Sequence, residues 1–274
     1  MKNILVPIDF SDASFNAANY AASLANIFDA DLILVHAYAN PMDIDKMPTS
    51  LLLEPEKELQ EVKEDLLKEN IEIIRKKFTV RIRGFVKEGL ASLIIQKAAK
   101  ENKADLIVMG MRGKGKSTLM FGSTTTIIMR KSSVPVIVIP KGIEYQSTSV
   151  ITLASDFDQK TESGNYTLLK QLAKKSDALI QIVNVRKKIS DLSPGEIACK
   201  LNIAKAFAGI NHKFYTIKGS DADEEIQKFI ESHPTDILAM VAHKHTIFER
   251  VFGTIHTKEM SHKTKIPLLV LQDK

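Results

Sequence analysis

The chain has 274 residues, of which 44% are hydrophobic and 26% are charged, and its formal net charge is +5. This balance excludes a disordered chain, and the lack of any apolar run of about 18 residues excludes a membrane-spanning helix. Basic residues are dispersed among acidic ones without an aromatic ladder, so nucleic-acid binding is not expected. A single cysteine, Cys199, excludes an internal disulfide. Together with an N-terminus that lacks a cleavage site, it indicates a cytoplasmic protein.

Along the first half, short apolar runs rich in Ile and Val alternate with helical stretches. The runs predict five strands, near residues 2–8, 31–38, 79–86, 105–110 and 134–140. Between the second and third strands, the stretch NPMDIDKMPTSLLLEPEKE predicts a surface loop that leads into a charged helix. The alternation is typical of a parallel α/β sheet.

The second half repeats this pattern. ILVPIDFSD, which begins at Ile4, returns as ITLASDFDQ from Ile151, so that Asp9 and Asp156 take equivalent places. DLILVHAYA aligns without a gap on ALIQIVNVR, which begins at Ala178. From FVKEGLASLIIQKAA onward, equivalent residues of the two halves differ by a constant number of positions in the sequence. The sequence therefore predicts two homologous domains, residues 1–143 and 148–274, each an open five-stranded parallel sheet of the Rossmann-like type.

The loop after the fourth strand differs between the halves. The first half has Gly110, Gly113 and Gly115, followed by Gly122 and Ser123, whereas the second half has Val241, Lys244 and Thr246 before Gly253 and Thr254. Glycine lets backbone N–H groups approach a phosphate, and a helix that begins there adds further donors. Ligands of parallel sheets bind beyond the carboxyl ends of the strands. A phosphate site is therefore predicted in the first half alone.

GMRGKGKS, residues 110–117, also satisfies the phosphate-loop pattern GxxxxGK[ST], which predicts an ATPase that binds phosphate through Lys116. Such an ATPase needs an acidic strand end after the loop, and the one apolar strand of this half that ends in Asp, ILVPID, precedes it. The second half has TIFERVFGT where KSTLMFGST is expected. The phosphate-loop ATPase is the weaker alternative, and an interaction module that binds no nucleotide is another.

The segments VPIDFS, LILVHAY, DLIVMGMRGKG, FGST and SVPVIVIP resemble the universal stress protein family, in a tandem form that covers essentially the whole chain. The resemblance implies an adenine nucleotide alpha hydrolase-like fold. In ATP-binding members the pattern is glycine, two residues, glycine, usually nine residues, then glycine with Ser or Thr. Gly110, Gly113, Gly122 and Ser123 fit it here with eight intervening residues.

The resemblance also implies individual roles. Pro7 and Asp9 are expected to border the nucleotide, and the backbone of Ala37 to meet the adenine. Four residues are expected to hold the phosphates: Gly113, Gly122, Ser123 and Thr124. This gives an ATP-binding regulatory or stress-response protein that binds ATP, with or without Mg²⁺, in its N-terminal half. Asp9 is the one candidate base, so no catalytic residue is assigned and at most slow hydrolysis is expected.

Three further expectations concern structure and metal. TTTIIM, residues 124–129, has strand propensity, but the resemblance requires a helix that begins near Ser123. The final strands, 134–140 and 266–272, are apolar and are expected to pair within the chain as an intramolecular pseudo-dimer, from which a higher homo-oligomer could be built. The histidines of the second half, His243, His245, His256 and His262, are expected to be solvated rather than to bind Zn²⁺.

Overall fold

The computed structural model describes residues 1–38, 55–112, 121–157, 166–188, 192–242 and 266–272. The first half contains β1 (Asn3–Pro7), α1 (Asp12–Phe28), β2 (Asp31–Tyr38), α2 (Pro55–Lys77), β3 (Ile82–Glu88), α3 (Ala91–Glu101), β4 (Leu106–Gly110), α4 (Ser123–Lys131) and β5 (Val136–Ile139). The second half contains β6 (Val150–Ala154), α5 (Thr167–Ser176), β7 (Leu179–Arg186), α6 (Pro194–Ala206), β8 (His212–Lys218), α7 (Ala222–Ser232), β9 (Ile237–Ala242) and β10 (Leu268–Gln272).

These strands form one sheet of ten strands, in the order β3-β2-β1-β4-β5-β10-β9-β6-β7-β8. Neighbouring strands are parallel except at the centre, where β5 and β10 run antiparallel with Leu269 opposite Ile137. The prediction of an α/β fold with a mainly parallel sheet is confirmed. Each half contributes five consecutive strands to the shared sheet. Both central strands are buried along their whole length, so their pairing removes two apolar edges from water.

Two predictions that depended on local sequence are confirmed. The charged stretch after the insertion forms α2. This helix already begins at Pro55, so residues 55–58, the end of the predicted surface loop, are helical, and the rest of that loop lies outside the described residues. The segment TTTIIM lies inside α4, which begins at Ser123 after the extended residue Gly122. Its buried side chains include Thr125, Ile128 and Met129, which lie three or four positions apart as a helix requires. Tertiary packing therefore overrides the strand propensity of the β-branched residues.

Helix α1 packs on β1 and β4 through a run of small side chains. It begins at a capping box, in which the hydroxyl of Ser11 accepts from the N–H of Ser14 at 3.2 Å. The residue that follows it, the C-cap Asp29, has a left-handed φ of 51°. Ala17, Ala18 and Ala21 are fully buried, so the helix backbone lies close to the sheet. This places the first turn of α1 directly above the carboxyl ends of β1 and β4.

The structure corrects the repeat alignment at the second strand. Asn3 pairs with Asp31 in the first half, and Val150, the equivalent first residue of β6, pairs with Leu179 in the second. Leu179 therefore takes the place of Asp31, where the ungapped alignment put Ala178. A shift of one residue turns every side chain of a strand to the opposite face. The partner of His36 in the repeat is consequently Asn184.

Candidate functional site

The strand order of the sheet reverses between β1 and β4. From β1 the chain adds β2 and β3 on one side, then returns to add β4 and β5 on the other. In open parallel sheets such a switch point leaves a crevice beyond the carboxyl ends of the two strands. Pro7 ends β1 and Gly110 ends β4, so both lie at this crevice. The structure thus brings together the strand ends to which the sequence assigned a ligand.

The turn after β1 holds Asp9 in a fixed position. The Oδ1 atom of Asp9 accepts from the N–H of Ser11 at 3.1 Å and from its hydroxyl at 2.5 Å. Phe10, between them, has a left-handed φ of 57°, and Phe157 of the second half has a φ of 58°. Because Ser11 is the N-cap of α1, the Asp9 carboxylate is anchored to the start of that helix. Asp9 therefore lies beside Pro7 at the crevice.

The start of α4 is tied to the end of β4. The hydroxyl of Thr125 donates to the carbonyl oxygen of Gly110 at 3.2 Å, and the N–H of Gly122 donates to the carbonyl oxygen of Met111 at 3.0 Å. The N-cap residue Gly122 has no side chain to cap the helix. Within the described part of the chain, no acceptor binds the N–H groups of Ser123 and Thr124. Together with the positive end of the helix dipole, these groups are suited to an anion.

Gly110 has a packing role that the sequence did not reveal. A Cβ atom at this position would lie 2.7 Å from the carbonyl oxygen of Ala13 and 2.9 Å from its carbonyl carbon. Ala13 belongs to the first turn of α1, so the absence of a side chain at Gly110 lets the helix approach the strand. Gly113, Gly115 and Lys116, which belong to both phosphate-binding hypotheses, lie outside the described residues.

An aromatic cluster at the end of β2 was not predicted from the sequence either. His36 is buried, and its Nδ1 atom lies 2.7 Å from the carbonyl oxygen of Ile8, so Nδ1 carries the proton. Its ring lies 4.3 Å from that of Phe10 and 6.4 Å from that of Tyr38, measured between centroids. The available signal was the spacing of two in His-Ala-Tyr, which places both rings on one face of the strand. Ala37, the residue expected to meet adenine, lies between them.

The second half keeps the framework of this site. The side-chain amide of Asn184 donates to the carbonyl oxygen of Ser155 at 2.8 Å, which reproduces the contact between His36 and Ile8. Ala154 stands in the place of Pro7. Val241 is buried at the end of β9, where β4 has Gly110.

An ion pair replaces an aromatic ring in this half. Arg186 ends β7 as Tyr38 ends β2, and it lies 2.8 Å from the carboxylate of Glu196 at the start of α6. Both side chains are largely buried, at 16% and 14% exposure. The N–H of Ser193, followed by its hydroxyl and the charge of Arg186, lowers the pKa of Glu196. At the end of β7 the second half therefore has an ion pair, at the position where the first half has Tyr38.

None of the helices in the described part of the chain combines the length and the apolar composition needed to cross a bilayer. In the same residues, no three His, Cys, Asp or Glu side chains are grouped so as to hold a metal ion. The four histidines predicted to be solvated rather than to bind Zn²⁺, His243, His245, His256 and His262, lie outside the described residues.

Comparison with known proteins gives one consistent result. Residues 1–140 match the model of the universal stress protein family. A universal stress protein of Methanocaldococcus jannaschii is 31% identical over 148 residues, which are 51% of this chain and 82% of that protein. One from a Synechocystis species is 33% identical over 141 residues, 51% of this chain and 85% of the relative. The crystal structure of a universal stress protein from Archaeoglobus fulgidus shares the fold over 98% of both chains, with a TM-score of 0.70 at 18% identity.

Proposed function

Since the chain belongs to the universal stress protein family, we propose that it binds an adenine nucleotide, ATP, and acts in regulation or in the response to stress. The nucleotide lies in the N-terminal half, at the crevice between β1 and β4. The observation that carries this proposal is the exposed, uncapped start of α4, held beside Gly110 by the bonds from Thr125 and Gly122.

Each part of this edge suits one part of ATP. The N–H groups of Ser123 and Thr124 would bind phosphate oxygens, because they have no acceptor in the described chain and point along the positive end of a helix dipole. The family pattern adds Gly113 to the phosphate loop. Pro7 and Asp9 border the ligand from β1, and the backbone of Ala37 lies at the end of β2 for the adenine. The N–H of Gly122 already donates to the carbonyl oxygen of Met111, so it would not bind a phosphate oxygen. Gly122 would contribute through its lack of a side chain, which leaves room for the phosphate.

Mg²⁺, if it takes part, enters with the phosphates. The described residues contain no group of three carboxylates or imidazoles that would hold it alone. Mg²⁺ is commonly bound by one or two carboxylates together with phosphate oxygens. Among the described residues of this edge, the Asp9 carboxylate, whose Oδ1 accepts from Ser11, would serve as such a ligand.

One nucleotide per chain is expected. In the second half, Val241 adds a buried side chain at the place of Gly110, and Arg186 is engaged with Glu196 at the place of Tyr38. Lys244 and Thr246 replace the loop glycines. A side chain at such a position keeps backbone N–H groups away from a phosphate.

We further propose that residues 1–143 and 148–274 are two domains of this family, and that they form an intramolecular pseudo-dimer. The antiparallel pairing of β5 with β10 and the shared positions of Asp105 and Asp236 support this. Each of these carboxylates accepts two backbone N–H bonds, one from the first residue of the first strand of its half and one from the residue before it. A location in the cytoplasm agrees with ATP as the ligand.

The rival function, a phosphate-loop ATPase, depends on Lys116. In such enzymes a helix begins at the Gly-Lys-Ser of the loop. The helix described after β4 begins at Ser123, beyond that motif, and its N-cap Gly122 is extended. We therefore propose a binding protein and not an enzyme, with slow hydrolysis as the upper limit.

Two measurements test the proposal. Denaturation of the purified chain should release a nucleotide that mass spectrometry identifies, and titration of nucleotide-free protein with ATP should saturate at one site. ADP, AMP and cAMP are titrated in parallel to define the preferred nucleotide. The double variant with Val241→Ala and Lys244→Ala should bind ATP as the unaltered chain does. Two equal sites would refute the assignment to one half, and no binding at millimolar ATP would support the interaction module.

A further inference from the structure

A cavity of about 390 Å³ lies where the two halves meet. Its wall is formed by Tyr20 of α1, by the connecting segment 142–148, and by the residues that precede β9 and β10. None of its lining residues is proposed to bind the nucleotide at the crevice between β1 and β4. Cavities of a few hundred cubic ångströms are large enough for small organic ligands, which often bind between domains.

The connecting segment is held in place against α1. The side-chain amide of Asn16 donates to the carbonyl oxygens of Pro140 at 3.2 Å and of Ile143 at 3.1 Å. The ring of Tyr145 packs edge-on against Tyr20, with centroids 5.2 Å apart. Thr148, the last residue of the segment, is buried. The cavity is therefore a built feature of the junction.

Tyr20 is a buried residue of α1 that presents a hydroxyl group to the cavity. It is 3% exposed and lines the cavity, and no residue in the described part of the chain hydrogen-bonds its hydroxyl. Burial raises the pKa of Tyr20, and the charges of Tyr145 and Asp236 raise it further. The hydroxyl thus stays protonated near Asp236. Buried hydroxyl groups are nearly always hydrogen-bonded, so one that faces a cavity indicates a ligand or ordered water.

The charge of the cavity is negative. Glu144 and Asp236 line it, while Lys, Arg and His are absent from its described lining. Asp236 is fixed there, because its Oδ2 atom accepts the N–H groups of Ser149 at 2.6 Å and Val150 at 2.8 Å. Ile143, Ile266 and Pro267 supply an apolar wall on the same cavity.

We propose that this cavity binds a small aliphatic ammonium compound, such as a diamine or polyamine, at the junction of the two halves. An ammonium group donates to the carboxylates of Asp236 and Glu144 and to the hydroxyl oxygen of Tyr20. The methylene chain packs against Ile266 and Pro267. An ammonium carries donors and no acceptor, which suits the carboxylates of Glu144 and Asp236 in the lining. The bound compound touches both halves and the segment that connects them.

Titration calorimetry of the full chain with spermidine tests this, in 150 mM salt and without nucleotide. We expect one saturable site per chain, and no binding of 1,6-hexanediol, which has a methylene chain without charge. Tyr20→Phe should weaken spermidine binding about tenfold, as expected for one hydrogen bond to a charged group. Glu144→Gln, on an exposed residue of the segment, should weaken it without any effect on folding.

Asp236→Asn has a matched control elsewhere in the chain. Asp105 accepts the N–H groups of Lys2 and Asn3 as Asp236 accepts those of Ser149 and Val150, but it does not line the cavity. Asp105→Asn should therefore leave spermidine binding unchanged, while Asp236→Asn weakens it. The proposal would be overturned if millimolar spermidine did not bind, or if the two Asp variants weakened binding equally. It would also be overturned if Mg²⁺ occupied the site as well as spermidine does. Because the assay contains no nucleotide, its result does not depend on the proposed function.

Discussion

The packing role of Gly110 predicts that even one added methyl group will destabilise the protein. In Gly110→Ala, the new Cβ would lie 2.7 Å from the carbonyl oxygen of Ala13, well inside ordinary contact distance. The obstacle is backbone, so the first turn of α1 or the end of β4 must move. Overpacking of this kind costs about 1–3 kcal/mol. Since Asp9 is anchored to the same helix start through Ser11, the turn after β1 would shift as well.

The measurement is urea unfolding of nucleotide-free protein followed by circular dichroism. With a urea dependence of about 2 kcal/mol per molar, a loss of about 2 kcal/mol lowers the midpoint by about 1 M. Gly195→Ala is the matched control, because a Cβ there meets no atom within 4 Å. As Gly195 lies in α6, its replacement should be neutral or should stabilise by up to about 1 kcal/mol. A Gly110→Ala variant that unfolds as the unaltered chain does, yet loses ATP binding, would refute the packing role and assign this glycine to the phosphate.

Three further predictions follow from other sites. Lys116→Ala should weaken ATP binding by about 1 kcal/mol or less, as for an exposed charge, whereas Gly113→Val should nearly abolish it while circular dichroism shows an intact fold; the reverse order would favour the phosphate-loop ATPase. Leu269→Pro should lower the free energy of unfolding by about 3 kcal/mol or more, because it removes a donor from β10 beside β5, and an unchanged melting temperature would contradict a stabilising role of that pairing. The pKa of Glu196 is lowered in the folded state, so its stabilising contribution is present above the unfolded pKa of about 4.3 and is lost as pH falls through the lower folded value. The stability difference between the unaltered chain and Glu196→Gln, measured by urea unfolding, should therefore shrink below about pH 4, and a difference that stays constant to pH 2 would disprove this linkage.

The sequence predicted the mainly parallel α/β sheet because the burial of a strand leaves a direct pattern in its residues. A fully buried strand reads as a continuous apolar run, as in Ile137 to Ile139, and the repeat doubled the evidence for each one. Register was harder. Nothing in ALIQIVNVR fixes which residue faces which side, so the ungapped alignment placed Ala178 where Leu179 belongs.

Contacts between distant segments account for what the sequence did not reveal. Position 110 needs glycine because the backbone of Ala13 lies against it. The ring of His36 is hydrogen-bonded to the carbonyl oxygen of Ile8. Neither partner is adjacent in sequence, and no residue pattern encodes such distances. The start of α4 at Ser123 was predicted through family resemblance, because the propensity of its threonines and isoleucines points to a strand.

The pairing of β5 with β10 inside one chain has a consequence for how the two halves can diverge. In a symmetric dimer of identical subunits, any substitution appears on both sides at once, so the loss of a loop glycine would remove both sites. Here the two partners are encoded separately and remain joined at a ratio of one to one at any protein concentration. Val241 and Arg186 can therefore alter one edge of the sheet while Gly110 and Tyr38 are kept at the other. The covalent link therefore keeps two different edges together in every molecule.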